Sequence, residues 1–150
     1  MRLVIQRVCN ASVTISGKLH STIGRGLMVL VGVAEGDTEG DADWLAAKTA
    51  AMRIFPDENG VMNRSLADTG GEALAVSQFT LTASTKKGNR PSYIHAAGHD
   101  VAIPLYDRYC LKLSEALGNE VKRGVFGADM QVALVNDGPV TIIIDSRLRE

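Results

Sequence analysis

The chain has little of what usually announces a function. Aromatic residues make up 5% of its 150 positions, with a single tryptophan. No apolar run approaches the roughly 20 residues that span a bilayer. The start, MRLVIQRV, has neither the long apolar stretch nor the cleavage site of a signal peptide, so a cytoplasmic location away from any membrane is expected. Only two cysteines occur, Cys9 and Cys110, and no Cys or His stands at metal-ligand spacing. Both are read as reduced, packed thiols, and no metal is expected. The three histidines, His20, His95 and His99, form no local pattern with Ser, Cys or a carboxylate that marks a nucleophile and its base. A triad assembled in space stays open. There is no Walker loop, no GxGxxG after a strand and no HExxH. The stretch VGVAEGD lies inside an apolar run, where close strand packing explains its glycines.

Excess charge of either sign is also missing. A formal net charge of −1 argues against wrapping a long nucleic-acid duplex, which depends on neutralising many phosphates. It leaves room for one nucleotide or a short single-stranded end. The one basic cluster is TKKGNRP, where Lys86, Lys87 and Arg90 stand among loop formers. On pattern alone it reads as a solvated loop.

What is present describes a soluble globular chain: 45% hydrophobic and 22% charged, an ordinary balance, at a length that one domain spanning residues 1–150 accounts for. RLVIQRV and ASVTIS are strand-like, and the Ser16–Gly17–Lys18 step predicts a hairpin into KLHSTI. GLMVLVGVA is a continuous apolar run that fits a strand buried on both faces, so the N-terminal third reads as a meander. In DTEGDADWLAAKTAAMRIF, Trp44, Ala47, Ala51 and Ile54 recur at helical spacing behind an acidic start. After PDENG come GVMNRSL and EALAVSQFTL, the latter a strand that turns polar as it ends. A second helix is predicted over about residues 99–117. Its face is Ala102, Leu105, Tyr109, Leu113 and Ala116, its stop is Gly118, and Pro104 is tolerable only in the first turn. EVKRGVFGA, MQVALVN and PVTIIID give three more strands, the last two divided by the turn formers of NDGPVT. The expected fold is α+β: a largely antiparallel, curved or barrel-like sheet with two main helices.

Polar residues gather at two strand ends, SQFTL and NDGPVT. Read plainly, Ser77 and Thr80 are hydroxyls satisfied by neighbouring backbone, Gln78 faces water and Phe79 is core. Together, however, VIQRV, SQFTL, TKKGNRPS, GVFGADMQV and NDGPVT, in that order from one end of the chain to the other, resemble the signature segments of the D-aminoacyl-tRNA deacylases.

The resemblance implies hydrolysis of the ester between a D-amino acid and the terminal adenosine of tRNA, and of glycine mischarged on alanine tRNA, as a proofreading step in translation. It implies no cofactor and a homodimer with the active site at the interface. Gly138 and Pro139 match a dipeptide whose cis peptide enters the partner's pocket and rejects L-amino acids, and Arg7 matches the residue that holds it. A cis bond is accessible only before proline, and a backbone gate would not exclude glycine. Ser77, Gln78, Phe79 and Thr80 then become the catalytic segment. Backbone N–H groups near Phe79 and Thr80 act as oxyanion donors, and Ser77 and Gln78 position the substrate. Phe126 matches a platform for the terminal adenine, and Lys86, Lys87 and Arg90 would contact phosphates of the tRNA acceptor end. Water attack assisted by the adenosine 2′-hydroxyl is favoured over a Thr80 nucleophile, for which no base is apparent. Two other readings are a non-catalytic RNA-end binder of the same fold and a related deacylase specialised for L-alanine on threonine tRNA.

Overall fold

A computed structural model describes residues 1–149. Three long strand runs organise it. β1 (Arg2–Ile15) turns back through Ser16 and Gly17, both at positive φ, into β2 (Lys18–Ile23), the two-residue hairpin that this dipeptide favours. β3 (Gly26–Gly32) does not fold back on β2. It continues β2 along the same edge of β1, since Ala11↔Ile23 and Val8↔Gly26 keep one register. The expected meander is therefore a hairpin with one long, bent return strand. On the other edge of β1 lies β8 (Met130–Asp145), antiparallel from end to end.

β8 replaces two of the predicted strands. NDGPVT does not divide a hairpin; the chain keeps its direction, and Asn136 still pairs with Val8. Between the pairs Gln6↔Thr141 and Val8↔Asn136 the register slips, so the turn formers are spent on a bulge. A strand that already has a full-length antiparallel partner accommodates extra residues by looping them out. Cys9 lies at a second slip between Val8 and Asn10 and is exposed, not packed; Cys110 is buried.

β6 (Glu72–Ser77) joins β3 in parallel, reached through the crossover that contains α1 (Glu39–Ala51), the small hairpin β4 (Phe55–Pro56) and β5 (Met62–Arg64), and the short α2 (Leu66–Thr69). β7, only Lys122–Arg123, adds to β6, again in parallel. The nearly closed, barrel-like α+β sheet is thus antiparallel around β1 and parallel on its β3–β6–β7 flank. SQFTL leaves the strand at Ser77 and forms a 3-10 helix over Phe79–Thr82.

β3 and β6 are buried on both faces and split their residues by period two. Leu27, Val29, Val31, Ala73 and Ala75 face the helices α1 and α3 (His99–Leu117), while Met28, Leu74 and Val76 join Val8, Ala11 and Val13 in an inner cluster. The α3 face is as expected except for Ala116, which is exposed. α1 buries Ala42, Leu45, Ala46, Thr49 and Ala50 rather than Ala47 and Ala51. In a helix this rich in alanine, a residue at home on either face, the period does not fix the phase. Pro104 lies beyond the first turn, in the second, where it removes one backbone bond without breaking the helix.

The two ends of the sheet are tied by charge. Met1's ammonium, fully buried, pairs with the equally buried Asp37 at 2.7 Å and donates to Ser146 Oγ at 2.8 Å. Arg2 pairs with Asp145 at 3.0 Å, fastening β1 to the end of β8. Burial alone would raise the carboxyl of Asp145, but the backbone N–H of Arg147 and the Arg2 guanidinium outweigh it and hold it below the usual carboxylate range. A carboxyl lowered by folding stabilises the protein above its unfolded-state pKa of about 3.9 and loses that contribution as pH falls through the folded value. The urea midpoint should therefore drop as pH falls below about 4. Asp145→Asn should flatten that drop and cost about 1 kcal/mol at pH 7; an acid limb identical to that of the parent would refute the contribution.

Candidate active site

The parallel β3–β6 pair brings two carboxyl ends side by side, and a cavity of about 550 Å³ opens there. Its floor is apolar, with Val31, Val33, Val76 and Val132 among the lining residues. Its polar rim comes from Ser77, Gln78 and Phe79, where the strand gives way to the 3-10 helix. That helix is set against β3 by a hydrogen bond from the Gln78 N–H to the Val31 carbonyl at 2.8 Å. Gly32 permits the approach: a Cβ there would stand 2.9 Å from Leu81 Cβ and 3.1 Å from the Gln78 carbonyl oxygen.

A helix start leaves its first N–H groups without partners. The Leu81 N–H returns to the Gln78 carbonyl at 3.2 Å, but among the described residues the N–H groups of Phe79 and Thr80 have no hydrogen bond. Phe79 lines the cavity and Thr80 follows it, and two adjacent free donors beside a cavity can receive a developing oxyanion. Gln78 Nε2 donates to Thr80 Oγ1 at 2.5 Å, so the threonine hydroxyl is held by an amide rather than by a base. Thr80 does not line the cavity. Phe79 is not core, as a plain reading of the strand has it: 55% exposed, it packs edge-on against Tyr93 with ring centroids 5.1 Å apart.

The opposite wall is Phe126 to Met130, the link into β8. Phe126 packs edge-on against Tyr106 at 6.0 Å and His99 at 5.5 Å, leaving an aromatic surface fixed at the rim. His99, which stands in no local pattern with a nucleophile, and Asp129, which no motif marks, also line the cavity. His99 is brought in by pairing far along the chain: Glu35 N–H donates to the His95 carbonyl at 2.9 Å and Ala97 N–H to the Val33 carbonyl at 3.1 Å, which starts α3 against the end of β3. No local spacing carries that information.

The remaining predicted residues lie outside this cavity. Lys86, Lys87 and Arg90 are exposed on the loop that follows the 3-10 helix. Gly138 and Pro139, joined by a cis peptide bond, lie on the β8 bulge and do not line the cavity of their own chain. Arg7 faces that bulge from β1. It is 8% exposed, its Nε lies 3.0 Å from Asp137 Oδ2 and 3.2 Å from the Asp137 carbonyl, and its Nη1 donates to the Ile54 carbonyl at 2.5 Å. The residue before the Gly–Pro dipeptide is thus pinned by both its side chain and its main chain.

A family profile described as D-Tyr-tRNA(Tyr) deacylase matches residues 4–145. The D-aminoacyl-tRNA deacylase of Phocaeicola vulgatus is 61% identical over 150 residues, and that of Bacteroides thetaiotaomicron 58%, each alignment covering all of both chains. A solved structure titled c-Myc DNA Unwinding Element Binding Protein superposes with a TM-score of 0.90 at 40% identity, covering 97% of this chain and 98% of that one. Another, titled "Structural Analysis of a probable eukaryotic D-amino acid tRNA deacylase", shares the fold with a TM-score of 0.81 at 20% identity over 95% of this chain and 97% of that one. On the extent of the profile match and of its full-length relatives, the chain belongs to the D-Tyr-tRNA(Tyr) deacylase family.

Proposed function

We propose that the protein hydrolyses the ester of D-aminoacyl-tRNA, and of glycine carried on alanine tRNA, by water attack within the cavity between the 3-10 helix and Phe126. The observation that carries this reading is the pair of unbonded N–H groups on Phe79, which lines the cavity, and on Thr80, the residue after it. An aminoacyl ester is already activated, so fixed donors and orientation supply much of what its hydrolysis needs. Ser77 and Gln78 orient the aminoacyl group, and Phe126 packs on the terminal adenine, as aromatic side chains do with unstacked bases. Lys86, Lys87 and Arg90 contact phosphates of the acceptor end.

The adenosine 2′-hydroxyl assists the water. Thr80 as a covalent nucleophile is disfavoured by its geometry, since its hydroxyl accepts from the Gln78 amide and among the described residues has no basic partner to take its proton.

Chirality is read in trans. Gly138 and Pro139 stand on the β8 bulge, away from the cavity of their own chain, and in a homodimer they enter the partner's cavity. Main-chain atoms held there leave no room for an L side chain, accept any D side chain, and admit glycine, which has none. Arg7 is the positioning residue, through its pair with Asp137. The protein works in the cytoplasm, where aminoacyl-tRNA is made and used.

A deacylation assay with D- and L-tyrosyl-tRNA tests the core of this reading: release from the D ester only is expected, and binding without release would make the protein an RNA-end binder. Thr80→Ala should keep most of the rate, whereas a substrate ending in 2′-deoxyadenosine should lose about 10²-fold or more. The reverse pattern, a loss of about 10⁴-fold or more in a folded Thr80→Ala protein, would make Thr80 the nucleophile.

Arg7→Ala should lower the ratio of D- to L-ester hydrolysis by about tenfold, equivalent to about 1.4 kcal/mol of discrimination. Arg7→Lys, which keeps the charge, should restore part of it. An unchanged ratio in a folded Arg7→Ala protein would remove Arg7 from the gate.

A further inference from the structure

A second cavity, of about 570 Å³, lies against the later residues of the same 3-10 helix. Ser84 and Thr85, just beyond that helix, supply hydroxyls to one wall, while the Thr82 hydroxyl beside them donates to the Phe79 carbonyl at 2.8 Å, and Arg2, His95 and Arg147 stand around the rest. Nothing in the deacylation chemistry above uses it.

Its charge is built in layers. Arg2 pairs with Asp145 through Nε at 3.1 Å and Nη2 at 3.0 Å, and its Nη1 donates to the Leu81 carbonyl at 3.1 Å. Arg147 pairs with Asp37 at 2.8 Å and also donates to the Glu35 carbonyl. In both pairs the carboxylate is the inner member: the Asp145 and Asp37 side chains are 17% and 0% exposed, against 43% and 50% for Arg2 and Arg147. Met1's ammonium, itself fully buried, also rests on Asp37, so the charges that face outward here are the two guanidinium groups. A guanidinium carries five N–H donors in a rigid fork. Arg2 commits three of them inward, which fixes the group and leaves the others for a ligand.

The two cavities share one short element. Phe79 stands at the first cavity, Leu81 to Thr85 at the second, and Lys86, Lys87 and Arg90 follow at once. The 3-10 helix between the two cavities is four residues long and rises about 2 Å per residue, so a strand whose terminal adenosine occupies the first cavity can extend its preceding nucleotides to the Arg2 and Arg147 guanidinium groups at the second. We infer that the second cavity is a phosphodiester site that holds the backbone of the nucleotides immediately preceding the terminal adenosine; this rests on the deacylase reading for the identity of the strand. Fixed guanidinium forks and short hydroxyls match phosphate oxygens. The site takes a single strand, because a cavity of about 570 Å³ is too small for a duplex.

Two variants test the site, neither in the catalytic segment: Thr85→Glu, which places a negative charge at the wall, and Arg147→Gln, which leaves Asp37 its pair with Met1. The probes are a short oligoribonucleotide with the tRNA 3′-terminal sequence, adenosine alone and inorganic phosphate, each titrated across a range of salt. Both variants should weaken the oligonucleotide about tenfold and leave adenosine affinity unchanged. Its salt dependence should fall by about 0.7 in log–log slope for each phosphate that is no longer neutralised. In turnover, KM for D-aminoacyl-tRNA should rise with kcat preserved, while hydrolysis of D-aminoacyl-adenosine stays the same. Unchanged oligonucleotide affinity, or equal losses on oligonucleotide and adenosine, would overturn the assignment. So would inorganic phosphate binding as tightly as the oligonucleotide, which would mark a free-anion site. If no D ester is hydrolysed at all, the deacylase reading fails by itself, and the binding titrations still judge the cavity.

Discussion

The pairing of β8 with β1 is the constraint on which the rest of the molecule depends. Both strands are long, and their antiparallel ladder runs from Arg2↔Asp145 to Ile15↔Met130. Buried backbone polar groups need partners, and a ladder of this length satisfies them so fully that the chain carries several extra residues opposite Arg7 without ending the strand. The bulge is stable because it is anchored on both sides by regular pairing and from below by a buried guanidinium. A free hairpin tip with the same residues would lack both supports. The same ladder places Phe126–Met130, the lead into β8, across the cavity from the 3-10 helix.

The second organising feature is the change from antiparallel to parallel pairing at β3. A parallel neighbour requires a crossover, and the crossover supplies α1, which shields one face of the sheet. It also aligns the carboxyl ends of β3 and β6, where the side chains of one strand end meet the main chain of the other. Gly32 and Gln78 meet at that junction, so the unbonded N–H pair is fixed to the most deeply buried strand of the sheet rather than left on a mobile loop. Donors held in advance need no reorganisation when charge develops in front of them.

Sequence periodicity made much of this legible. The doubly buried β3, the α3 face through Tyr109 and Leu113, and the Ser16–Gly17 hairpin are set by local pattern and turn chemistry. Three things were not legible, each for a physical reason. The phase of α1 was lost because alanine does not distinguish faces. Asn, Asp, Gly and Pro in NDGPVT mark a departure from regular strand geometry but do not say whether the chain then reverses or resumes; only the partner strand decides, and β1 lies at the opposite end of the sequence. His99 reaches the cavity through pairing of 95–97 with the end of β3, which has no local signature. Ser77, Gln78 and Phe79 stand out as a strand that turns polar at its end, but that pattern alone fits hydroxyls satisfied by neighbouring backbone; the resemblance of SQFTL to a family signature is what singled them out.

Charge explains how a chain with no excess of it can offer a place for an anion. Net charge governs the field far from a protein, which salt screens within about 8–10 Å, but a ligand in contact responds to what lies at the surface and what lies beneath. In the pairs Arg2–Asp145 and Arg147–Asp37 the guanidinium is outermost and the carboxylate is covered. Each pair is close to neutral at a distance and cationic at contact. Fixing the guanidinium against a buried carboxylate weakens its attraction for an anion, yet it removes the entropy loss that a free arginine side chain would suffer on binding, about 2 kcal/mol at most. Long-range attraction is given up and geometric fit is kept. A surface built this way does not gather nucleic acid indiscriminately, and it rewards only a strand whose phosphates arrive in register with the forks.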